Sequence, residues 1–404
     1  MGQRLSGVNA DLSLAWLLAP LPVDTFLNEI WGVSHYHVKR SCAGYFDSLL
    51  DASSAAEVLV ELFRSEPGPA WAMRLVRGTE KHHSDAYRRA DGSLDLDRVR
   101  NDFADGYTIV LDGIEQYVRA IASLTHSIEV ELNFATKVNA YITPPGSQGF
   151  VAHYDAHDVL ILQIQGSKIW HLYDGADVSP HQMQRRAPVN TAELPAPTSL
   201  RLEVGDVLYL PRGRVHAAET TAQPSVHLTV GIHAPTLLTL VTRALYSLSL
   251  SDDRVHTQLP PRHLDDAEVR ARVNMLVREI TSVLEEPGVI AEGLGELEDV
   301  LVKRGRCPPV GQAVANAAGI DGHTLVVKYR PLYARVTTTP GGVALHFAQL
   351  VINAAADHHA AMSFVAKSTE PFRVCDLPGL SAAQQIELAR TLITSGFLVR
   401  LPDG

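Results

Sequence analysis

Cysteine is scarce in this chain of 404 residues: Cys42, Cys307 and Cys375 stand far apart, and no two form a Cys-x-x-Cys pair. That excludes a disulfide scaffold and a thiolate zinc site, and it fits a reducing cytosol. A basic excess is missing too. Against 45 acidic residues stand 35 basic ones, a formal net charge of −10, and no basic stripe interrupts that balance. Nucleic acid is bound through phosphate-neutralising cations, so the balance argues against it as the main partner. No apolar run reaches the length of a membrane span. The segment "LSLAWLLAPL" is apolar enough for a signal-peptide core, but only Arg4 precedes it and no small-residue cleavage site follows. A short amphipathic helix capped by Asp11 is the expectation there. "MGQRLS" matches the myristoylation pattern through Gly2 and Ser6, a short pattern that chance readily supplies. Internal repeats and low-complexity segments are absent.

What is there is ordinary for a soluble, cytoplasmic globular protein of two or three domains: 46% hydrophobic and 20% charged residues. Residues 1–130 read as mixed and mostly helical, through "DTFLNEIW", "SSAAEVLVELFRS" and "GIEQYVRAIASL". The charged stretch 78–96, "RGTEKHHSDAYRRADGSLD", reads as a surface loop. From about 134 the texture changes to short β-rich segments, among them "KVNAYIT", "VLILQIQG", "KIWHLYD", "SLRLEVGDVLYLP" and "SVHLTVGIH". Many short strands separated by turns indicate a sandwich or barrel. Residues 236–290 return to helix, with Asp265 and Glu268 spaced as a capping box. Val269, Val273, Leu276, Val277, Ile280 and Leu284 follow on one stripe. The tail, 311–404, reads as a small α/β unit: a helix around "GGVALHFAQLVINAAADHHA", the strand "FRVCDL", the helix "SAAQQIELARTLITSG" and the strand "FLVRL".

One stretch of the β-rich region carries chemistry. "GFVAHYDAHDVLILQIQGSKIW" places His153 and Asp155 two apart, hence on one face of an extended chain. His-x-Asp alone is a weak signal, and a surface histidine beside a polar neighbour explains it equally. The signal sharpens with His216, which follows the Pro-Arg-Gly turn of "VGDVLYLPRGRVHAAE" and opens the next strand. Two histidines and one carboxylate on a β-barrel form the facial triad of non-haem Fe(II) oxygenases. Lys168 starts the strand "KIWHLY", just after the "QGS" turn. Pointing inward, it would need an anion, because a buried unpaired ammonium is costly; pointing outward from the turn, it would need nothing.

These residues lie within a denser pattern: Asn-x-Tyr-x-Thr-Pro-Pro, Ser-Gln-Gly-Phe, His-Tyr-Asp, Gln-x-x-Gly-x-Lys-x-Trp, Gly-Asp-x-Leu-Tyr-x-Pro-Arg-Gly and Ser-x-His-Leu-Thr, over about 139–232. With them the chain resembles the JmjC-type ribosomal oxygenases, cupin-fold hydroxylases that use 2-oxoglutarate and Fe(II) on ribosomal proteins. The resemblance implies an α+β fold with a double-stranded β-helix (cupin, jelly-roll JmjC) core at 131–235. Around it are implied a mixed helical N-terminal part (1–130) packing on the barrel, a helical dimerisation region (236–310) and a winged-helix-like C-terminal domain (311–404). It further implies Fe(II) on His153, Asp155 and His216 and 2-oxoglutarate on Lys168, with Asn139 and Tyr141 lining the site and Thr143 nearby on the same strand face. Strand packing explains Thr143 equally well. Ser225 and His227 resemble the family's closing strand, where His227 reads as structural. His157 departs from the pattern: relatives carry an aliphatic or aromatic residue there, and alternation from His153 puts it on the ligand face, in packing or second-layer contact.

The expected function is thus a 2-oxoglutarate-dependent dioxygenase that hydroxylates an Arg or His side chain of a ribosomal protein and works as a homodimer. The same chemistry on a small molecule or peptide natural product stays open, as do lysine demethylation and a non-enzymatic cupin scaffold. The helix at 381–395 carries Arg390 as its one cation, set against Glu387, so the C-terminal module is expected to contact protein rather than DNA.

Overall fold

The structure is a computed structural model that describes residues 12–65, 72–176, 178–183, 189–305, 317, 319–329 and 332–401. Gly2, Ser6, Asp11 and Cys307 lie outside the described residues. The expected N-terminal helix forms at Leu14–Leu18, but its described cap is Ser13, whose hydroxyl accepts from the Trp16 N–H. Among the described residues no helix is long and apolar enough to cross a membrane. The chain divides into two compact units, one running to Ala234 and the other from Pro235, with residues 132–134 counted in the second.

The first unit is built on eleven strands: β1 (Tyr36–Val38), β2 (Met73–Arg77), β3 (Glu80–His83), β4 (Thr108–Asp112), β5 (Ala135–Thr143), β6 (Asp158–Gln165), β7 (Lys168–Tyr173), β8 (Thr198–Leu202), β9 (Val207–Leu210), β10 (Val215–Thr220) and β11 (Ser225–His233). They form an eight-stranded sheet, β1-β9-β6-β11-β5-β4-β2-β3, and a three-stranded sheet, β10-β7-β8. Every named pairing is antiparallel. Side-chain patterns follow position. β6 lies between β9 and β11, is buried along nearly its whole length, and reads as a continuous apolar run. β7 alternates strictly between buried and half-buried residues, so one face looks inward. Val159, Ile161, Trp170, Leu172, Leu202, Leu208 and Leu210 pack together as the core between the two sheets. This is a cupin-type α+β fold.

The first 130 residues are not the mostly helical layer that their periodicity suggests. Four of their strands join the large sheet, β1 at one edge and β4, β2 and β3 at the other. The helices Ala55–Ser65, Leu96–Ala104 and Arg119–Leu132 form around them. The charged stretch 78–96 is likewise not a plain surface loop. It supplies β3, a 3-10 turn at Ser84–Tyr87 and a bridge between Arg88 and Leu94, and it buries Tyr87 completely. The Tyr87 hydroxyl and His82 Nδ1 both bond to Asp102 Oδ2, which ties the segment to the helix behind it. At the opposite edge the fully buried Asp206 accepts from the N–H groups of Arg40, Ser41 and Glu203 at 2.7, 2.8 and 3.1 Å and from His37 at 3.0 Å. One carboxylate thus fastens the β1 segment to the barrel.

The second unit begins with the helices Leu237–Leu248, Ala267–Leu284 and Pro287–Arg304. The first and third pack closely: a Cβ added at Gly293 would lie 2.9 Å from that of Ala244. The helix from Ala267 is capped by Asp266, whose side chain accepts from the N–H groups of Glu268 and Val269, rather than by the expected Asp265–Glu268 box. Beyond Gly305, β12 (Leu325–Lys328) pairs with β16 (Phe372–Arg373) and β17 (Leu398–Arg400), while β13 (Arg335–Thr339), β14 (Gly342–Phe347) and β15 (Leu350–Ala354) form a meander. The helices His359–Lys367 and Ala382–Thr394 cover a core of Val326, Leu345, Phe347, Met362, Leu392 and Phe397. The helix expected across 341–360 is therefore mostly the β14–β15 hairpin, and helix starts only at His359.

Candidate active site

His153, Asp155 and His216 meet. One ligand atom from each lies within 4.8 Å of the others, and theirs is the sole cluster of three or more such groups among the described residues. Local backbone explains the meeting. His153 and His216 face each other in an isolated antiparallel bridge, with N–H to C=O bonds of 3.0 and 2.8 Å in both directions. The Gly213 N–H donates to the Asp155 carbonyl at 2.8 Å, tying the middle residue to the turn before β10. His153 Nδ1 lies 2.9 Å from the Val151 carbonyl and His216 Nδ1 2.9 Å from that of Arg214. A carbonyl only accepts, so each Nδ1 carries the hydrogen and each Nε2 is left as a lone-pair donor. Burial, with His153 beside it, pulls His216 down to about 4, so its imidazole is neutral at physiological pH. Two imidazoles whose Nδ1 atoms are already bonded, together with a carboxylate, are a donor set suited to a divalent first-row metal such as Fe(II).

Lys168 points inward. It is 3% exposed, and its Nζ donates to Thr143 Oγ1 at 2.9 Å. Thr143 is held in turn by the Thr108 hydroxyl at 3.1 Å. Burial pulls Lys168 down to about 7, and among the described residues no carboxylate acts against it. The same pocket is lined by Tyr141, Phe150, Trp170 and His227 along with the three clustered residues, and holds about 510 Å³ of empty space, part of it open to solvent. Tyr141 and His227 stack face to face, 4.7 Å apart with 1° between their planes. Two further polar atoms in that lining, His227 Nδ1 and Trp170 Nε1, are buried without a hydrogen-bond partner among the described residues. A buried polar atom left unpaired is costly, so an ammonium and two N–H or N groups around one space fit a ligand rich in acceptors. A dicarboxylate such as 2-oxoglutarate meets that requirement.

The other expected residues divide. Thr143 touches Lys168 directly and Tyr141 lines the pocket. Asn139 stands one layer back: its Oδ1 accepts from the Gly113 N–H at 3.2 Å and its side chain bonds Tyr141. Ser225 lies at the head of β11, bonded to Gln163 at 2.8 Å. His157 does not share the ligand face. The backbone bends at 156–157, before β6 begins, and its ring stacks on His233 at 4.4 Å, above Gly231. Trp170 was legible in principle, since β7 alternation puts it on the Lys168 face. Thr108, from a strand sixty residues nearer the N-terminus than Lys168, carries no local signal.

Residues 116–240 match the JmjC domain family model. The chain carries a JmjC domain, and it is similar to ribosomal oxygenases. Relatives include the Drosophila mojavensis protein named Bifunctional lysine-specific demethylase and histidyl-hydroxylase NO66, 30% identical over 230 residues that cover 54% of this chain and 24% of that protein. Ribosomal oxygenase 2 of Rattus norvegicus is 28% identical over 296 residues, 70% of this chain and 60% of its own. The chain spans only 24–34% of the length of three of the NO66 proteins it matches. Among solved structures, the Escherichia coli ribosomal oxygenase YcfD in complex with cobalt and 2-oxoglutarate superposes with a TM-score of 0.57 at 16% identity, covering 94% of this chain and 98% of that one. At that identity the likeness speaks for the fold. The JmjC domain contains every residue of the pocket named above except Thr108.

Proposed function

We propose that this JmjC protein is a 2-oxoglutarate- and Fe(II)-dependent oxygenase that hydroxylates an Arg or His side chain of a ribosomal protein. One observation carries the reading: the two-histidine, one-carboxylate cluster and a buried lysine without an acid open into the same pocket. YcfD, solved with cobalt and 2-oxoglutarate, and the relatives named as ribosomal oxygenase and histidyl-hydroxylase support the cofactors and the substrate class.

His153, Asp155 and His216 would hold the metal, with both imidazoles locked in the Nε2-donor tautomer. When bound, Fe(II) and 2-oxoglutarate together supply the oxidising power that puts one atom of O₂ into a C–H bond, the keto acid leaving as succinate and CO₂. Lys168, seated by Thr143, would neutralise the distal carboxylate. Val159, Ile161 and Trp170 would exclude water from the pocket wall, which Phe150 and Tyr141 also line. Winged-helix character of the C-terminal part, and pairing of two chains through the helices from Leu237 onward, belong to the same proposal. Support for pairing comes from apolar residues left at the surface there, including Leu250, Leu264, Met275 and Val277.

His216→Ala is expected to abolish substrate-dependent succinate formation, and full turnover in that variant would remove the metal assignment. Lys168→Ala should raise the 2-oxoglutarate requirement sharply; an unchanged requirement removes its role. Comparing ribosomal proteins from wild-type and deletion strains by mass spectrometry tests the substrate. One oxygen mass lost on deletion supports it, formaldehyde release points to demethylation, and a change confined to metabolites points to a small molecule.

A further inference from the structure

The turn 211–214 between β9 and β10 touches more of the metal cluster than its exposed surface suggests. Its Gly213 N–H holds the Asp155 carbonyl and its Arg214 carbonyl orients the His216 ring, each across a bond of 2.8–2.9 Å. His216 is in turn bridged to His153. The backbone of all three clustered residues therefore depends, directly or at one remove, on where this turn sits. Gly213 has φ +83°, and a Cβ there would meet Met183 Cε at 2.8 Å, so the turn has little room to relax.

What fixes the turn is a pair of side chains beneath it. Asp158, 3% exposed at the head of β6, accepts from the Tyr209 hydroxyl at 2.6 Å and from the Arg212 N–H at 3.4 Å. Tyr209 is fully buried on β9, and its hydroxyl accepts from the Gly32 N–H at 2.9 Å. Trp31 stacks on its ring at 5.5 Å and Phe26 meets it edge-on at 4.9 Å. The phenol is clamped in place by the N-terminal segment, and the carboxylate it holds reaches the turn that carries the cluster.

We propose that Tyr209 and Asp158 are positioning residues for the metal site: their hydrogen bond braces the 211–214 turn, and through it the orientation of Asp155 and His216. The inference rests on the metal reading above and adds two residues to it that touch neither metal nor substrate. A carboxylate that merely satisfies a buried phenol would change stability and leave metal affinity alone; a brace changes affinity in protein that is still folded. Second-layer partners of metal ligands are worth about 10–100-fold in affinity.

The test titrates Co(II), without cosubstrate, into the full chain and into Tyr209→Phe, Asp158→Ala and Asp158→Asn, following the cobalt absorption bands. Circular dichroism at the titration temperature reports the folded fraction. Asn keeps an acceptor oxygen for both Tyr209 and Arg212, so Asp158→Asn should stay within about threefold of wild type, while Tyr209→Phe and Asp158→Ala weaken Co(II) by about tenfold or more. Folded Tyr209→Phe protein that binds as tightly as wild type overturns the brace, as does an Asp158→Asn variant as weak as Tyr209→Phe. If Asp158→Ala fails to fold, the Tyr209→Phe and Asp158→Asn pair decides alone. A wild-type chain that takes up no Co(II) sinks the metal reading itself, an outcome separate from the other two.

Discussion

An amine buried beside Thr143 and His227, which no carboxylate among the described residues offsets, makes Lys168 a group whose charge state depends on what shares its pocket. Its folded pKa of about 7 lies below the ordinary lysine value of about 10.5 because burial penalises the charged form. Between those values the folded protein binds fewer protons than the unfolded chain. This group's destabilising contribution is therefore absent above the upper value and grows as pH falls toward the lower one. A bound carboxylate reverses the preference, since the ion pair favours the charged form. Above about 7 most of these side chains are neutral before binding, so adding 2-oxoglutarate to the Co(II)-loaded protein at pH 8 should be accompanied by net proton uptake. Isothermal titration in two buffers of different ionisation enthalpy measures that uptake. It should vanish in Lys168→Met, and a wild-type value near zero would place the dicarboxylate elsewhere. At this scale the meeting of His153, Asp155 and His216 and the inward Lys168 were legible through the motifs around them rather than from any one residue alone. His157 misled because alternation holds only while a chain stays extended, and the bend before β6 ends it.

Strands and turns were legible where the local pattern and the tertiary fold agree. β5, β6, β7, β9 and β11 carry apolar runs or alternation punctuated by glycine and proline, and they stand where those signals put them. The β14–β15 hairpin hid because its turn residues, Ala348 and Gln349, adopt φ +45° and +68° without the glycine or asparagine that marks such turns. β14 is buried on both faces, so it lacks the period of two as well. β4 hid for another reason: its partners lie outside its own neighbourhood in sequence, β2 before the helix Leu96–Ala104 and β5 beyond the helix Arg119–Leu132. Gly166 shows the opposite case, an element end fixed by one residue. It joins β6 to β7 with φ +65°, and a Cβ there would lie 2.0 Å from the Pro224 carbonyl oxygen. Gly166→Ala should cost about 2–3 kcal/mol through the strained conformation and the forced backbone shift. Because Lys168 is two residues on, the variant should lose 2-oxoglutarate affinity along with stability. Urea unfolding and ligand titration report the two effects, and a variant as stable as wild type contradicts the close approach.

At the scale of the whole molecule, the second unit leaves apolar side chains uncovered in numbers that single exposed residues do not reach. Val277 and Met275 on the helix Ala267–Leu284 are 56% and 57% exposed, and Leu259, Leu250 and Leu264 beside it are 55%, 73% and 75% exposed. Val273, Leu276, Ile280 and Leu284 of the expected stripe line a groove together with Leu245, Val255 and Leu259 rather than packing shut. An apolar groove with exposed apolar residues on the same helix fits an interface, and the proposed occupant is a second copy of the chain. Exposed positions separate folding from assembly cleanly. Met275 and Val277 are each more than half exposed, so in a lone chain Met275→Glu with Val277→Glu should cost no more than about 1 kcal/mol. In a paired one it would set carboxylates against apolar surface, where an unpaired buried charge is strongly unfavourable. Light scattering after size exclusion should therefore give the mass of two chains for wild type and of one for the double variant, with thermal unfolding still cooperative. A wild-type mass of one chain, or a double variant that keeps the mass of two, would show that another molecule, or nothing, covers this face.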